Sequence, residues 1–187
     1  GLESSIDGYV KAIADSMDGV RRVLKKAEYY FSIFLTPIIL PRENRARRFG
    51  LRAVDGPGLG VPRKTLIGIP WRVSLEMINR GWVLRSPIIG QRGAAMPEPT
   101  AKDRPWRTYE LIFMFSKSQH YHLDRNALAN NEDIWTISTR PKSSNGLHAA
   151  AYPEELVNRC LAVGCPEGGE VSDPFVGTGT TLEAAVK

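Results

Sequence analysis

Nine residues near the end of the chain, Asp173-Pro174-Phe175-Val176-Gly177-Thr178-Gly179-Thr180-Thr181, constrain its fold more than any other stretch. A short apolar run ending at Val171 precedes them and a helical pattern, Leu182 to Val186, follows, so the segment predicts a strand, a tight glycine turn and a helix N-terminus. In an α/β sheet this is the place where a small-molecule cofactor sits. Gly177 and Gly179 let the backbone turn sharply and approach a ligand with no Cβ in the way, and Thr180 or Thr181 is placed to cap the helix. No Gly-Lys-Ser/Thr follows, which excludes a phosphate loop, and the third glycine of the dinucleotide fingerprint is missing.

The rest of the chain supplies the other parts of an α/β domain. Ser4-Ser5-Ile6-Asp7 resembles a capping box, and Ile6, Tyr9, Val10, Ile13, Met17, Val20 and Leu24 recur at helical spacing. Arg21, Arg22, Lys25 and Lys26 gather in the last turn, where cations suit the helix dipole. Strands are expected at Tyr29 to Leu35, Trp82 to Ile89, Glu110 to Ser116 and Glu170 to Ser172. Helices are expected from about Thr65 to Arg80, with Gly81 just past the end, and from Tyr152-Pro153-Glu154-Glu155-Leu156 onward, with Val157, Cys160, Leu161 and Val163 turned inward. Residues 118 to 147 mix short apolar pieces such as Ile134-Trp135-Thr136-Ile137 with polar turns and predict no definite element.

At 187 residues, 42% of them hydrophobic, the chain is one ordinary globular domain. Its longest apolar stretch, Tyr29 to Leu40, is too short to span a bilayer, and its start has no secretory pattern. The net charge of +5 and a pI near 9.4 favour a polyanionic partner. Arg42, Arg45, Arg47, Arg48 and Arg52 lie in a glycine- and proline-rich stretch, 41 to 63, without periodicity; a loop this long is functional or disordered, and phosphate contact by these arginines is preferred over a merely solvated loop. His120 and His122 lack a third metal ligand at suitable spacing, so no metal is expected. Cys160 and Cys165 are expected to be reduced thiols in or near the core, as in a cytosolic protein. Trp71 and Trp82 are assigned to packing, while Trp106 and Trp135 stay open between packing and base stacking.

The glycine turn resembles, nearly letter for letter, the S-adenosylmethionine motif of the amino-group DNA methyltransferases, which methylate adenine N6 or cytosine N4. Leu147-His148-Ala149-Ala150-Ala151-Tyr152-Pro153-Glu154-Glu155-Leu156 is similar to the family's helix-opening segment, which borders the methionine end of the cofactor. Lys64 to Arg72, Gly81 to Arg85 with Ile88-Ile89, Met96-Pro97-Glu98, Lys102-Asp103-Arg104-Pro105 and Tyr109 to Lys117 resemble the same enzymes in the same order. That order, with catalytic motifs before the cofactor motif, is the family's β arrangement.

The resemblance implies a Rossmann-like α/β methyltransferase fold, incomplete here, with residues 1–187 forming one partial catalytic domain. It implies S-adenosylmethionine as cofactor, lined by Asp173, Pro174, Phe175, Gly177, Thr178, Gly179, Thr180 and Thr181 with His148, Ala150 and Tyr152 nearby. The implied reaction is methyl transfer to an exocyclic amine, adenine N6 or cytosine N4, of a base flipped out of double-stranded DNA. Residues 41–63 and 118–147 are the expected DNA-contacting or target-recognition loops. A cytoplasmic location and a cognate restriction endonuclease accompany such enzymes.

The chain departs from the family in one large respect: no Asp/Ser-Pro-Pro-aromatic tetrapeptide occurs in it, so no catalytic residue is assigned. Ser86-Pro87-Ile88-Ile89 is the nearest string, but it falls in a later family strand. The order of blocks places the catalytic loop immediately before residue 1 and the ribose-binding acid beyond Lys187. Gly90 and Arg92 stand where relatives have a Trp and a Lys. An inactive remnant or split half that binds S-adenosylmethionine or DNA without methyl transfer is therefore the competing expectation. A nucleotide-dependent oxidoreductase sharing only the turn is a weaker one.

Overall fold

A computed structural model describes residues 5–24, 30–35, 61–62, 65–93, 102–128, 132–137, 152–177 and 179–186. Helix α1 spans Ile6–Val23 and starts where the sequence predicts, because the Ser5 side chain accepts the Gly8 N–H at 3.0 Å. Strand β1 covers Tyr30–Leu35, helix α2 Ile69–Asn79, strand β2 Val83–Arg92, strand β3 Tyr109–Ser116 and strand β4 Ile134–Ile137. Helices α3, Glu154–Gly164, and α4, Thr180–Ala185, complete the order.

Helix α2 begins four residues later than expected. Gly68 has φ +72°, a left-handed conformation that no helix interior accepts, so Thr65 to Gly68 stay outside and Pro70 falls in the first turn, where its missing N–H costs nothing. Its end matches the expectation closely. Gly81 at φ +87° gives its N–H to Ile78 O, and Trp82 gives its N–H to Met77 O, the paired bonds of a Schellman stop. Trp82 then packs into the core with Met77 and Val73.

The sheet order is β1-β3-β2-β4. Strand β3 pairs antiparallel with β1, Ile33 opposite Phe113, and with β2, Ile88 opposite Ile112, while β4 lies parallel to β2 with Gly90 opposite Trp135. The run Leu111-Ile112-Phe113-Met114-Phe115 is apolar throughout because both faces of β3 are covered. Phe113 and Phe115 pack with Val10, Met17, Val20, Val73 and Met77 of α1 and α2. Ile112 and Met114 pack on the other side with Trp135, Ile137 and, from α3, Leu156, Cys160 and Val163. The result is three layers, helix pair, sheet, helix.

Pro87 inside β2 is tolerated for a directional reason. Ile89 gives its N–H to Asp133 O, on the β4 side; Pro87, two residues earlier, points the same way before β4 begins. Gly90 sits tight against its neighbours: a Cβ there would lie 3.1 Å from Ile112 Cδ1. The indole of Trp135, on the strand beside it, is buried and gives its N–H to Glu132 O at 3.1 Å.

Arg80, at the end of α2, bonds Asp15 and Asp18 of α1 at 2.7 Å each and Glu76 at 2.8 Å. These carboxylates hold its guanidinium well above the ordinary arginine range, while Lys11 and then Arg80 hold the Asp15 carboxyl below its usual value. The Arg80 side chain is largely covered while its three carboxylate partners lie a third to a half in water, so the network orients the helix pair more than it stabilises it.

Two expectations change here. Glu170 to Ser172 forms no strand among the described residues: Glu170 and Ser172 are exposed, and only Val171 turns partly inward. Ile134 to Ile137, left without an element, is the edge strand β4, its alternate residues Trp135 and Ile137 buried. Cys160 is buried, Cys165 is partly so, and both are free thiols.

Candidate cofactor site

The turn that opened the sequence reading has the backbone its glycines imply. Gly177 has φ +52° and Gly179 φ +87°, both in the region that side chains with a Cβ rarely adopt. A Cβ on Gly179 would meet nothing within 4 Å, so open space adjoins the backbone there. The Asp173 carboxylate starts the turn by accepting the Phe175 N–H on Oδ1 at 2.8 Å, an Asx turn. Gly179 N–H donates to Val176 O at 2.8 Å, and Gly179 O accepts the Glu183 N–H at 2.9 Å, which launches α4.

The other oxygen of Asp173 is held from two directions. Tyr152 donates its hydroxyl to Asp173 Oδ2 at 2.9 Å, Thr181 Oγ1 donates to the same atom at 2.6 Å, and the two hydroxyls lie 2.6 Å apart. Two hydroxyl hydrogens thus serve three short contacts: one donates to the carboxylate, and the other follows it or donates to its hydroxyl neighbour. Thr181 is buried, and Tyr152 packs against the cluster built by Ile88, Ile112 and Leu156. Burial raises the Tyr152 phenol above its ordinary pKa; the Asp173 carboxylate adds to this and the Thr181 hydroxyl opposes it.

Thr181 therefore does not cap α4, as one of the two sequence alternatives had it. Gly179 takes the N-cap position without a side-chain bond, and Thr181, one residue inside the helix, turns back to Asp173. Phe175, Val176 and Leu182 remain exposed around the turn, an apolar rim facing solvent. Pro174 is exposed as well, and Thr180 is the first residue of α4. His148, Ala150 and Thr178 lie outside the described residues, as do Arg42, Arg45, Arg47, Arg48 and Arg52.

Asp124, in the segment that follows β3, gives its N–H to Val163 O, which ties that segment to the last turn of α3. At the end where β2 and β4 finish, Gly93 N–H donates to Ile137 O. Of the expected recognition stretch 118 to 147, Tyr121, Leu123, Ala127 and Leu128 pack against the second core cluster, and β4 belongs to the sheet. Trp135 is packed, settling one open tryptophan; Trp71, assigned to packing, sets its ring edge on Phe113 at 4.9 Å yet stays 45% exposed.

The bond from Tyr152 to Asp173 had no signature in the sequence. The residue types were visible, but their meeting across 21 positions depends on how α3 docks on the sheet.

A family model described as DNA methylase matches residues 1–187. The Type II methyltransferase M.SmaI of Serratia marcescens is 34% identical over 97% of this chain and 67% of its own length. The Type II methyltransferase M.Cfr9I of Citrobacter freundii is 34% identical over 96% of this chain and 64% of its own, and M.XycI of Xanthomonas campestris pv. cyanopsidis 38% identical over 74% and 48%. Among solved structures, PvuII DNA methyltransferase (cytosine-N4-specific) shares the fold with a TM-score of 0.65 at 18% identity, over 97% of this chain and 63% of that one. The chain thus spans about two thirds of the length of the first two relatives. With its full length matched and its layers those of a known methyltransferase fold, the chain belongs to the DNA methylase family.

Proposed function

We propose that the chain is the cofactor-binding portion of an amino-group DNA methyltransferase, which binds S-adenosylmethionine at the turn from Asp173 to Thr181 and acts on double-stranded DNA. The observation that carries this reading is the hydroxyl–carboxylate cluster of Tyr152, Asp173 and Thr181, which holds the glycine turn by its first residue. The residues present suit that cofactor: positive-φ glycines leave a backbone with no Cβ in the way, and Phe175 offers an exposed aromatic face.

The cofactor supplies a sulfonium that is already a strong methyl donor. The chain's own part is to bind it, exclude water and hold it in line with the amine, and alignment of this kind supplies a large share of rate enhancement. Asp173, Pro174, Phe175, Gly177, Thr178, Gly179, Thr180 and Thr181 form the proposed lining, with His148, Ala150 and Tyr152 at its border. The target amine would be adenine N6 or cytosine N4 of a flipped base. The arginine-bearing stretch 41–63 and residues 138–147 of the second stretch are the proposed DNA-contacting loops, since β1 and β4 hand the chain on at the same end of the sheet. A cytoplasmic location and a cognate restriction endonuclease fit this reading. Among the described residues no helix is long and apolar enough to cross a membrane.

Calorimetry with S-adenosylhomocysteine and with NAD tests the cofactor. Saturable binding of the first and none of the second is expected; a preference for NAD overturns the proposal. A second reading, binding without transfer, is favoured by the absence of an Asp/Ser-Pro-Pro-aromatic string from these 187 residues. Transfer of a radiolabelled methyl group to DNA by this chain would dismiss it.

A further inference from the structure

Gly90 is buried in β2, opposite Glu110 of β3 on one side and Trp135 of β4 on the other. Its φ lies outside the left-handed region, so its backbone does not call for glycine. The space around it does. A Cβ there would lie 3.1 Å from Ile112 Cδ1, 3.6 Å from Glu110 O and 3.7 Å from Ile137 Cδ1. The first of these is closer than ordinary van der Waals contact, and Ile112, 1% exposed, has no solvent into which to retreat.

Ile112 and Ile137 also belong to the wall behind the glycine turn. They share a core cluster with Trp135 and with Leu156, Cys160 and Val163 of α3, and Tyr152 packs against the same cluster. Tyr152 donates its hydroxyl to Asp173 Oδ2 at 2.9 Å, and Asp173 starts the turn. Contacts thus run from the empty Cβ position in β2, through two isoleucine methyl groups and their cluster, to the hydroxyl that fixes the turn. A close-packed core passes a displacement on, because one added carbon forces side chains off their rotamers or moves backbone.

We propose that Gly90 is a positioning residue of the cofactor site: having no side chain, it lets Ile112 and Ile137 close together beneath α3 and so sets where Tyr152 meets Asp173. This rests on the reading that the turn from Asp173 to Thr181 binds S-adenosylmethionine.

The probe is S-adenosylhomocysteine, titrated by calorimetry at a temperature where circular dichroism shows each variant folded. Gly90→Ala should raise the dissociation constant about three- to tenfold. Ile112→Val removes the Cδ1 methyl that the new Cβ would meet, so the double variant Gly90→Ala/Ile112→Val should return to within about twofold of the unaltered chain. With the hydroxyl already deleted in Tyr152→Phe, Gly90→Ala should add no further loss. Gly81→Ala strains a φ of +87° in the other layer, so it should lower the unfolding temperature and leave the dissociation constant unchanged.

A Gly90→Ala variant that behaves like Gly81→Ala, less stable but equal in affinity, overturns the proposal and leaves the function standing. So does a loss that Ile112→Val fails to restore, or one that persists undiminished in Tyr152→Phe. If Gly90→Ala does not fold, Ile112→Leu carries the test, since it keeps the volume and moves the methyl: a weaker dissociation constant is expected, and an unchanged one overturns the proposal. Failure of the unaltered chain to bind S-adenosylhomocysteine would sink the functional reading, and this proposal with it.

Discussion

Asp173 is the residue through which the site is organised, and Tyr152 is the one whose removal tests this most cleanly. Tyr152→Phe keeps the ring in the second core cluster and deletes only the hydroxyl, so the fold should persist while Asp173 loses one of its two hydroxyl donors. A lost hydrogen bond to a charged group is worth about 1.5–3 kcal/mol; partial compensation by Thr181 should leave S-adenosylhomocysteine affinity about tenfold weaker, measured by calorimetry. The pH dependence has a definite sign. The unfolded phenol titrates near pH 10 and the folded one higher, so its contribution is fully present below that pH and is lost as pH rises through the folded value. Denaturant titrations of the unaltered chain should show stability falling above about pH 10, and Tyr152→Phe should flatten that fall.

At the scale of elements, two glycines make opposite predictions. Gly81 adopts φ +87° in the stop of α2, and a Cβ there would come within 3.2 Å of Arg21 Nη2, so Gly81→Ala should cost about 1–2 kcal/mol. Gly19 lies inside α1 with nothing within 4 Å of a built Cβ, and Gly19→Ala should stabilise by about 0.5–1 kcal/mol. Thermal unfolding of the two variants reads both signs. The start of α1 and the stop of α2 were legible because each rests on local chemistry, a Ser5 side chain in one and a positive-φ glycine in the other. The start of α2 was misplaced because Gly68 gives no warning in sequence that it turns left-handed. Strand β4 escaped for a different reason: four residues gain strand character only from β2 alongside, a partner some 45 positions away in the chain.

For the whole molecule, strand order is the part no local pattern carries. That β3 would be buried on both faces was legible from Leu111 to Phe115, but that it lies between β1 and β2 follows from pairing across long stretches of chain. Its central place predicts hydrogen exchange: amides of Ile112 to Phe115 should be the slowest in the protein and those of β4 among the faster strand amides, as read by mass spectrometry or NMR. Fast exchange in β3 would contradict the strand order. The glycine turn of the candidate site was legible from its sequence. Its fixing by Tyr152 was not, since that depends on a helix docking against the sheet.

The end of the sheet marked by Leu35, Arg92, Tyr109 and Ile137 bears on how such a protein can change over time. Register is set deeper, by the packing of Phe113, Ile112 and their neighbours, so chain inserted beyond those four residues need not disturb it. The entropic charge for lengthening a closed loop is only about 0.6 kcal/mol per doubling. A lineage built on this scaffold can therefore exchange whole segments at that rim while the glycine turn and the layered core are inherited unaltered.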